Sequence, residues 1–506
     1  MKPLLNTIGA TAARVSFGAL LAGALFGAVF HLTQAWAIGI KLLCISAVCV
    51  VLIRKGSLLQ ALCAGWAWGA GATLTGMAWL YVAMHDVGGM PAWMAGAAMV
   101  LFSALLGVFN GLALLAGAWV TAASRIEPQL TRVFGTLGFA ACWVLGEWLR
   151  TWVLTGLPWM SVGYGFLDTP LVGLASSLGV IGVSAAAVLL AANMAQLLNA
   201  QRWRAIAGAS AVLLVCYAAG QRVYTQPHAQ PFSVALLQGN VPQNLKFDPL
   251  ASHGYMRQYA QMAAQSKAAV TVMPETALPA LNTQIPPDVW ATLSAAPGLQ
   301  VIGLAGELGG RYTNRMATPF AKGTASQWVY DKHHLVPFGE AIPWGFQWFV
   351  DTMNMPLSSM GRGAAAQAPL QVGDVTIAPN ICYEEIFAHE WRASGAAAHA
   401  LLNVSNFGWY GNSTVFAQHA AIARMRALEF QKPYLSATNN GATLAVLPSG
   451  AVHAQLPPNT QVTLSVSVQG MAGQTPYARW GDWGVVVLAL LALLLTGWRM
   501  FKARQT

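Results

Sequence analysis

The chain has 506 residues, 56% of them hydrophobic and 9% charged, with 27 Lys and Arg against 17 Asp and Glu. Soluble domains carry roughly 25% charged residues, so this balance, with a mean hydropathy of +0.50, excludes an ordinary soluble protein and points to a membrane protein with basic loops. The basic residues stand in ones and twos between apolar runs, without the patch that nucleic-acid binding needs, and no nucleic-acid partner is expected.

A membrane-spanning helix takes ~20 mostly apolar residues. Taken in chain order, the stretches Val15–Phe30, Trp36–Leu52, Leu58–Val82, Trp93–Val120, Val133–Leu149, Leu171–Leu190 and Ala205–Ala219 qualify, and Trp483–Trp498 follows after a long polar interval. That predicts eight spans, with Lys41 intruding on the second. The first stretch lacks a small-residue cleavage site and runs directly into the next, so it reads as a span, not a removed leader. Lys2 and Arg14, Arg54 and Lys55, Arg125 and Arg132, Arg202 and Arg204, and finally Arg499, Lys502 and Arg504 mark alternate loops, Arg150 being the exception. By the positive-inside rule both termini are cytoplasmic and the segment from Gln221 to Tyr477 is external, which in a bacterium is the periplasm. The expected domains are a helical bundle of about seven spans (1–220), an external domain (221–477), and a last span with a cytoplasmic tail (478–506).

The external segment changes character. Short β-branched or alternating runs such as "FSVALLQGN", "AVTVMPET", "QVIGLAGEL", "VTIAPNICYEE" and "HALLNVSN" alternate with helix-like stretches such as "SHGYMRQYAQMAAQ" and "TVFAQHAAIARMRALEF". Strands alternating with helices predict a single layered α/β domain.

Three strand ends carry chemistry. "VMPETALP" places Glu275 after an apolar strand, "YDKHHLVPFGE" carries Lys332 and Glu340, and "NICYEEIF" carries Cys382. The ends of buried strands are where α/β enzymes place catalytic groups. The other five cysteines lie in long apolar stretches. A carboxylate, an ammonium and a thiol together suit acyl transfer: the carboxylate takes the thiol proton, the lysine favours thiolate and oxyanion, and sulfur forms a thioester. Singly, each has a plain reading, since a strand-end Glu is ordinarily solvated and a lone Cys ordinarily packs as a small hydrophobe. The adjacent His333 and His334 cannot both face one metal from a strand, so no metal is expected.

These motifs resemble the Glu-Lys-Cys triad of the nitrilase superfamily. Combined with the spans, "EWLRTWVLTGLPWMSVGY" (147–164), "LLQGNVPQNLKFDP", "MGRG", "NVSNFGWYGNS" and "HAAIARMRALEFQKPYLSATNNG" extend the resemblance nearly end to end, to the bacterial apolipoprotein N-acyltransferase family. The resemblance implies an αββα sandwich with Glu275 as general base, Lys332 as oxyanion stabiliser and Cys382 as nucleophile. It further implies that Glu340 orients Lys332, that the Tyr383 N–H completes the oxyanion hole, and that Tyr383 and Glu384 support the site. Phe247 stands where that family usually has Trp, and Phe407–Gly408 replace Asp-Ala before Trp409; Phe247, Phe407–Gly408 and Trp409 are expected on substrate-facing loops.

The implied reaction moves an acyl chain from a phospholipid such as phosphatidylethanolamine through a Cys382 thioester. The acceptor is the α-amino group of an S-diacylglyceryl cysteine at an apolipoprotein N-terminus. No cofactor is implied, the enzyme is expected to be a monomer in the bacterial inner membrane, and a site fed by lipids should open towards the bilayer. Two other readings remain: a membrane-tethered amidase using water as acceptor, and a transporter or receptor whose external domain only binds ligand.

Overall fold

The computed structural model describes residues 2–53, 57–123, 131–197, 202–319, 328–348 and 359–502. Arg54, Lys55, Arg125 and Arg504 of the charge pattern lie outside them. Two compact units emerge, Met1–Arg222 with Trp480–Thr506, and Val223–Arg479.

The first unit is helical: α1 (Lys2–Ala28), α2 (Ala35–Ile53), α3 (Leu58–Gly76), α4 (Ala92–Ala123), α5 (Thr131–Arg150), α6 (Ala175–Gln196) and α7 (Arg202–Gly220). The helix Trp483–Lys502 packs against α5 and α6. Among the described residues three helical stretches are long and apolar enough to cross a membrane: Ala92–Thr121, Pro170–Gln196 and Arg202–Gly220. Ala12–Ala28, Ala35–Val51 and Trp483–Arg499 are apolar but shorter. Large apolar side chains such as Phe17, Leu43, Leu101, Trp119, Leu214 and Leu494 point outward, a surface suited to lipid and not to water. Helix contacts use small residues. A side chain at Gly23 or Gly27 would collide with the α3 backbone at Trp68 and Ala72, the close approach that membrane helices favour.

The two charges that interrupted the apolar pattern are both buried and partnered. Lys41 donates to the carbonyl oxygens of Leu32, at 2.7 Å, and of Gly165. Arg150 donates to Ser161 Oγ at 3.3 Å, while Glu147 Oε1 accepts from Trp143 Nε1 at 3.0 Å and from the Val162 N–H at 3.1 Å. Thus the "EWLR…MSVGY" stretch folds back on the end of α5 through its own polar groups. The stretch Leu58–Val82 is likewise interrupted, because α3 ends at Gly76 and a short turn, Trp79–Val82, follows.

The second unit is a sandwich of two sheets. One joins β1 (Thr225–Gln238), β2 (Val270–Val272), β3 (Leu278–Leu281), β4 (Leu299–Leu308), β5 (Arg311–Ala317), β6 (Val329–Asp331) and β13 (Val462–Gly473), in the order β13-β1-β2-β4-β5-β6 with β3 beside β4. The other runs β12-β11-β10-β9-β8-β7, from β7 (Leu370–Val372), β8 (Val375–Ile381), β9 (Ala400–Ser405), β10 (Tyr434–Thr438), β11 (Leu444–Val446) and β12 (Val452–Gln455). The central pairs β1–β2, β2–β4, β8–β9 and β9–β10 are parallel, and parallel strands are covered on both faces. Val234, Val272 and Val301 of the first sheet pack with Ile377, Leu402 and Val404 of the second in one core. The outer layer on the first sheet is α8 (Ser252–Gln265) and α9 (Pro287–Ala295). Met256, Tyr259, Ala260 and Ala263 bury one face of α8 at the i, i+3, i+4, i+7 spacing of an amphipathic helix. Beside the second sheet lie α10 (Ala388–Gly395) and α11 (Val415–Phe430). The αββα expectation therefore describes the unit, while the hairpin β4–β5 and helices α9 and α10 were not anticipated.

Because Leu402 lies fully buried between the sheets, Leu402→Ala is expected to cost about 2–5 kcal/mol. A clear drop in the thermal unfolding midpoint of the detergent-solubilised protein checks it.

Candidate active site

The polypeptide delivers its chemistry at the ends of β2, β6 and β8, strands that are not consecutive and belong to both sheets. Glu275 follows β2 by three residues, at a chain reversal where Thr276 has φ 50°. Gly303 on β4 makes room for this reversal, since a Cβ there would strike the Pro274 carbonyl. Lys332 follows β6 directly. Its N–H donates to the Asn314 carbonyl at 2.8 Å, and its own carbonyl accepts from the Gly363 N–H at 2.9 Å. Gly363, the last residue of "MGRG", lies so close to the Asp331 carbonyl that no side chain fits. Cys382 follows β8 directly with φ 54°, a left-handed conformation that costs a non-glycine residue about 1–3 kcal/mol and persists only where its surroundings hold it.

Those surroundings centre on Glu384, which is fully buried. Its Oε2 accepts from the Ile381 N–H at 2.7 Å and the Tyr330 hydroxyl at 3.0 Å. Its Oε1 accepts from the N–H groups of His333 at 2.6 Å and His334 at 3.0 Å. One carboxyl thus ties the cysteine turn to the residues following Lys332. Burial pushes it up to about 7, against the pull of the Ile381 and His334 N–H groups. Next along the chain, Glu385 is also buried; it pairs with His419 and accepts from the Tyr434 hydroxyl at 3.0 Å.

The expected site residues converge inside this frame. Lys332 Nζ, fully buried, lies 2.9 Å from Glu340 Oε1 and 3.3 Å from Glu275 Oε1. Burial favours the neutral amine, but Glu340 and Glu275 outweigh it and raise the lysine well above its ordinary value. Asn314 Nδ2 bridges the two carboxylates, at 2.5 Å from Glu275 Oε1 and 3.1 Å from Glu340 Oε1. The Asn406 N–H holds Glu275 Oε2 at 2.8 Å, and Glu340 Oε2 accepts from the Val336 N–H at 2.9 Å. Burial, and after it the Glu275 carboxylate, raise the Cys382 thiol well above a free thiol, with Lys332 pulling the other way. At rest the sulfur therefore keeps its proton. This arrangement can move a proton from sulfur to carboxylate while a fixed ammonium faces the charge that develops.

The remaining expected residues lie at the margin. Tyr383 stacks edge-on to His334 and Phe387, with ring centroids at 5.6 and 5.1 Å. Phe247 is 60% exposed and Trp409 43%, on the loops that also carry Lys246 and Tyr410. Phe407, read as lying in a substrate-facing loop, is buried and packs against Tyr410, Phe416 and His419. His333 Nδ1 contacts the Gly363 carbonyl at 2.8 Å, whereas His334 Nδ1 contacts Glu390 at 2.6 Å. Sequence reasoning gave no role to Lys246, Asn314, Asn406 or Tyr410. "NLKFDP" and "NVSNFGWYGNS" contain three of them, but Asn314 on β5 carried no signal.

Two family models divide the chain in the same sense as its chemistry. The apolipoprotein N-acyltransferase N-terminal domain matches residues 22–193, and the carbon-nitrogen hydrolase model matches 233–477. A relative named apolipoprotein N-acyltransferase, from Ralstonia nicotianae, is 40% identical over 95% of this chain and 94% of its own. The chain belongs to the apolipoprotein N-acyltransferase family. A second relative of that name, from Nitrosomonas europaea, is 38% identical over 86% of this chain and 87% of its own. A solved CN-hydrolase superfamily protein, XC1258 from Xanthomonas campestris, is similar at 15% identity over 47% of this chain and 91% of its own, with TM-score 0.37. Like the family resemblance drawn from sequence, the two relatives and the pair of family models span both the helical and the sandwich units.

Glu384 gives a pH test. Its folded value of about 7 stands above the ordinary 4.5, so the native domain holds a proton that the unfolded chain releases between those values. The protonated acid can keep its place by donating to the Tyr330 oxygen. Its contribution to stability is full below about 4.5 and is lost as pH rises through 7, by up to about 3 kcal/mol. Glu384→Gln cannot ionise, so its unfolding midpoint is expected to fall less than the wild type's between pH 5 and 8; parallel curves would contradict the assignment.

Proposed function

We propose that this protein is an acyltransferase that moves an acyl chain from a membrane phospholipid, with phosphatidylethanolamine as donor, to the α-amino group of S-diacylglyceryl cysteine in apolipoproteins. The observation that carries the reading is the convergence of Glu275, Lys332 and Cys382, from three strand ends, in a chain of this family. In the first half-reaction Glu275 takes the Cys382 proton and sulfur attacks an ester carbonyl. Lys332, held by Glu340, faces the oxyanion with the Tyr383 N–H. The C–O bond breaks, Glu275 returns its proton to the leaving glycerol oxygen, and lysophospholipid departs. In the second, the acceptor amine attacks the thioester and loses a proton to Glu275. The C–S bond breaks and the thiol is restored. Phe247 and Trp409, with the exposed Phe338 and Trp344 flanking Glu340, supply apolar surface for acyl chains. The enzyme acts as a monomer in a bacterial inner membrane.

Phospholipid alone, without lipoprotein, should then load Cys382 with a mass increment of one acyl group and release lysophospholipid. Cys382→Ala should load nothing. Lys332→Arg should lose ~10²–10³ in rate, because a guanidinium fork does not replace a compact ammonium. Steady release of free fatty acid, with no acyl-amide product when acceptor is added, would favour the amidase instead.

The orientation we propose puts both termini in the cytoplasm and residues 221–477 in the periplasm. Periplasm-dependent reporters fused after Gln221 should be active and those fused after Lys502 silent. The opposite pattern would invert the topology.

A further inference from the structure

The site contains a second buried lysine. Lys246 stands in the turn after β1, is 3% exposed, and directs Nζ to the main-chain carbonyl of Glu275 at 3.0 Å. Its turn is well formed: the Leu245 N–H donates to Pro242 O at 3.1 Å, and Asp248 accepts from the Leu250 and Ala251 N–H groups at 2.8 and 3.0 Å. Asp248 is thereby committed to the start of α8. A buried ammonium needs compensation, yet among the described residues its hydrogen bond goes to a neutral carbonyl. The Glu275 carboxylate is already held by Asn314, Lys332 and Asn406. The charge of Lys246 therefore acts through space, on Glu275 and Cys382.

That charge completes the balance of the cluster. With the thiol protonated, Lys332 and Lys246 balance Glu275 and Glu340. Without Lys246 the cluster is already one charge negative, and ionising sulfur adds another. Lys332 is drawn to two carboxylates at once, and Tyr410 faces the same four groups, Cys382, Glu275, Lys332 and Glu340, as a neutral phenol raised by burial. We propose that Lys246 is a positioning residue of the acylation step, holding the reversed Glu275 peptide in place and lowering the cost of forming the Cys382 thiolate. This rests on the acyl-transfer reading above. Burial lowers the lysine to about 8, against the opposing pull of Glu275 and Cys382, so its charge is present at neutral pH and lost in mild alkali.

The test is single-turnover loading of the full-length enzyme from phosphatidylethanolamine vesicles, followed by intact mass between pH 5.5 and 9. Lys246→Met keeps the buried stem and removes the charge. An opposite charge within about 4–6 Å moves a neighbouring pKa by about one unit or more. The acid limb of the loading rate should therefore shift upward by about one unit, with about a tenfold loss at pH 7, and Lys246→Arg should return the limb towards its wild-type position. Alkylation of Cys382 by iodoacetamide in the same variants reads thiolate directly and should show the same shift. A Lys246→Met enzyme that is merely less heat-stable, with both pH profiles unmoved, overturns the inference. Should Cys382→Ala load acyl groups in parallel, the acyl-transfer reading itself fails; wild-type loading with an unshifted Met variant removes only the role of Lys246.

Discussion

A buried ammonium between two carboxylates is the constraint on which the rest of the catalytic unit depends. Taking Lys332, Glu275 and Glu340 out of water costs several kcal/mol per ion, and the cost is offset only if every oxygen and proton finds a partner. Asn314 on β5, the Asn406 N–H after β9 and the Val336 N–H beyond Lys332 supply those partners. Each comes from a different strand or loop, so the cluster exists only when both sheets are assembled. Stability and chemistry share the same hydrogen bonds here.

The cysteine turn obeys the same logic on a smaller scale. Cys382 is held in a left-handed conformation by a neighbour two residues on, whose carboxyl collects donors from its own strand end and from the residues after Lys332. Cys382 and Lys332 are thereby set by one brace. Glycines act in the complementary way, by leaving space: at Gly303 and Gly363 two backbones must touch, next to Glu275 and Lys332 respectively.

The helical unit solves a different problem. Its outward faces are large and apolar, its helix contacts use small residues, and the charges buried within it, Lys41, Glu147 and Arg150, meet backbone groups and polar side chains. A chain whose relatives are named for acting on lipoproteins carries, in the same polypeptide, a unit whose surface suits lipid. Lys41, which intrudes on an apolar stretch, and Arg150, the exception to the alternation of basic loops, each tie a loop to a helix.

The sequence by itself determined the class of each half: apolar period and length gave the helices, alternation and strand–helix order gave the layered domain, and three strand-end motifs with distinctive neighbours gave Glu275, Lys332, Cys382 and Glu340. Those features are local, written within a few residues of one another. Other features were not legible there. Asn314 is an unremarkable residue in a hairpin, Lys246 sits some thirty positions before the carbonyl it holds, and Phe407 looks substrate-facing until its ring is seen packed on His419. Their roles arise when β5, the turn after β1 and the loop after β9 are carried to one end of the sandwich by strand pairing. The tertiary structure alone decided them, because a hydrogen bond or a buried charge is set by what lies within a few ångströms in space, and chain order does not record that distance.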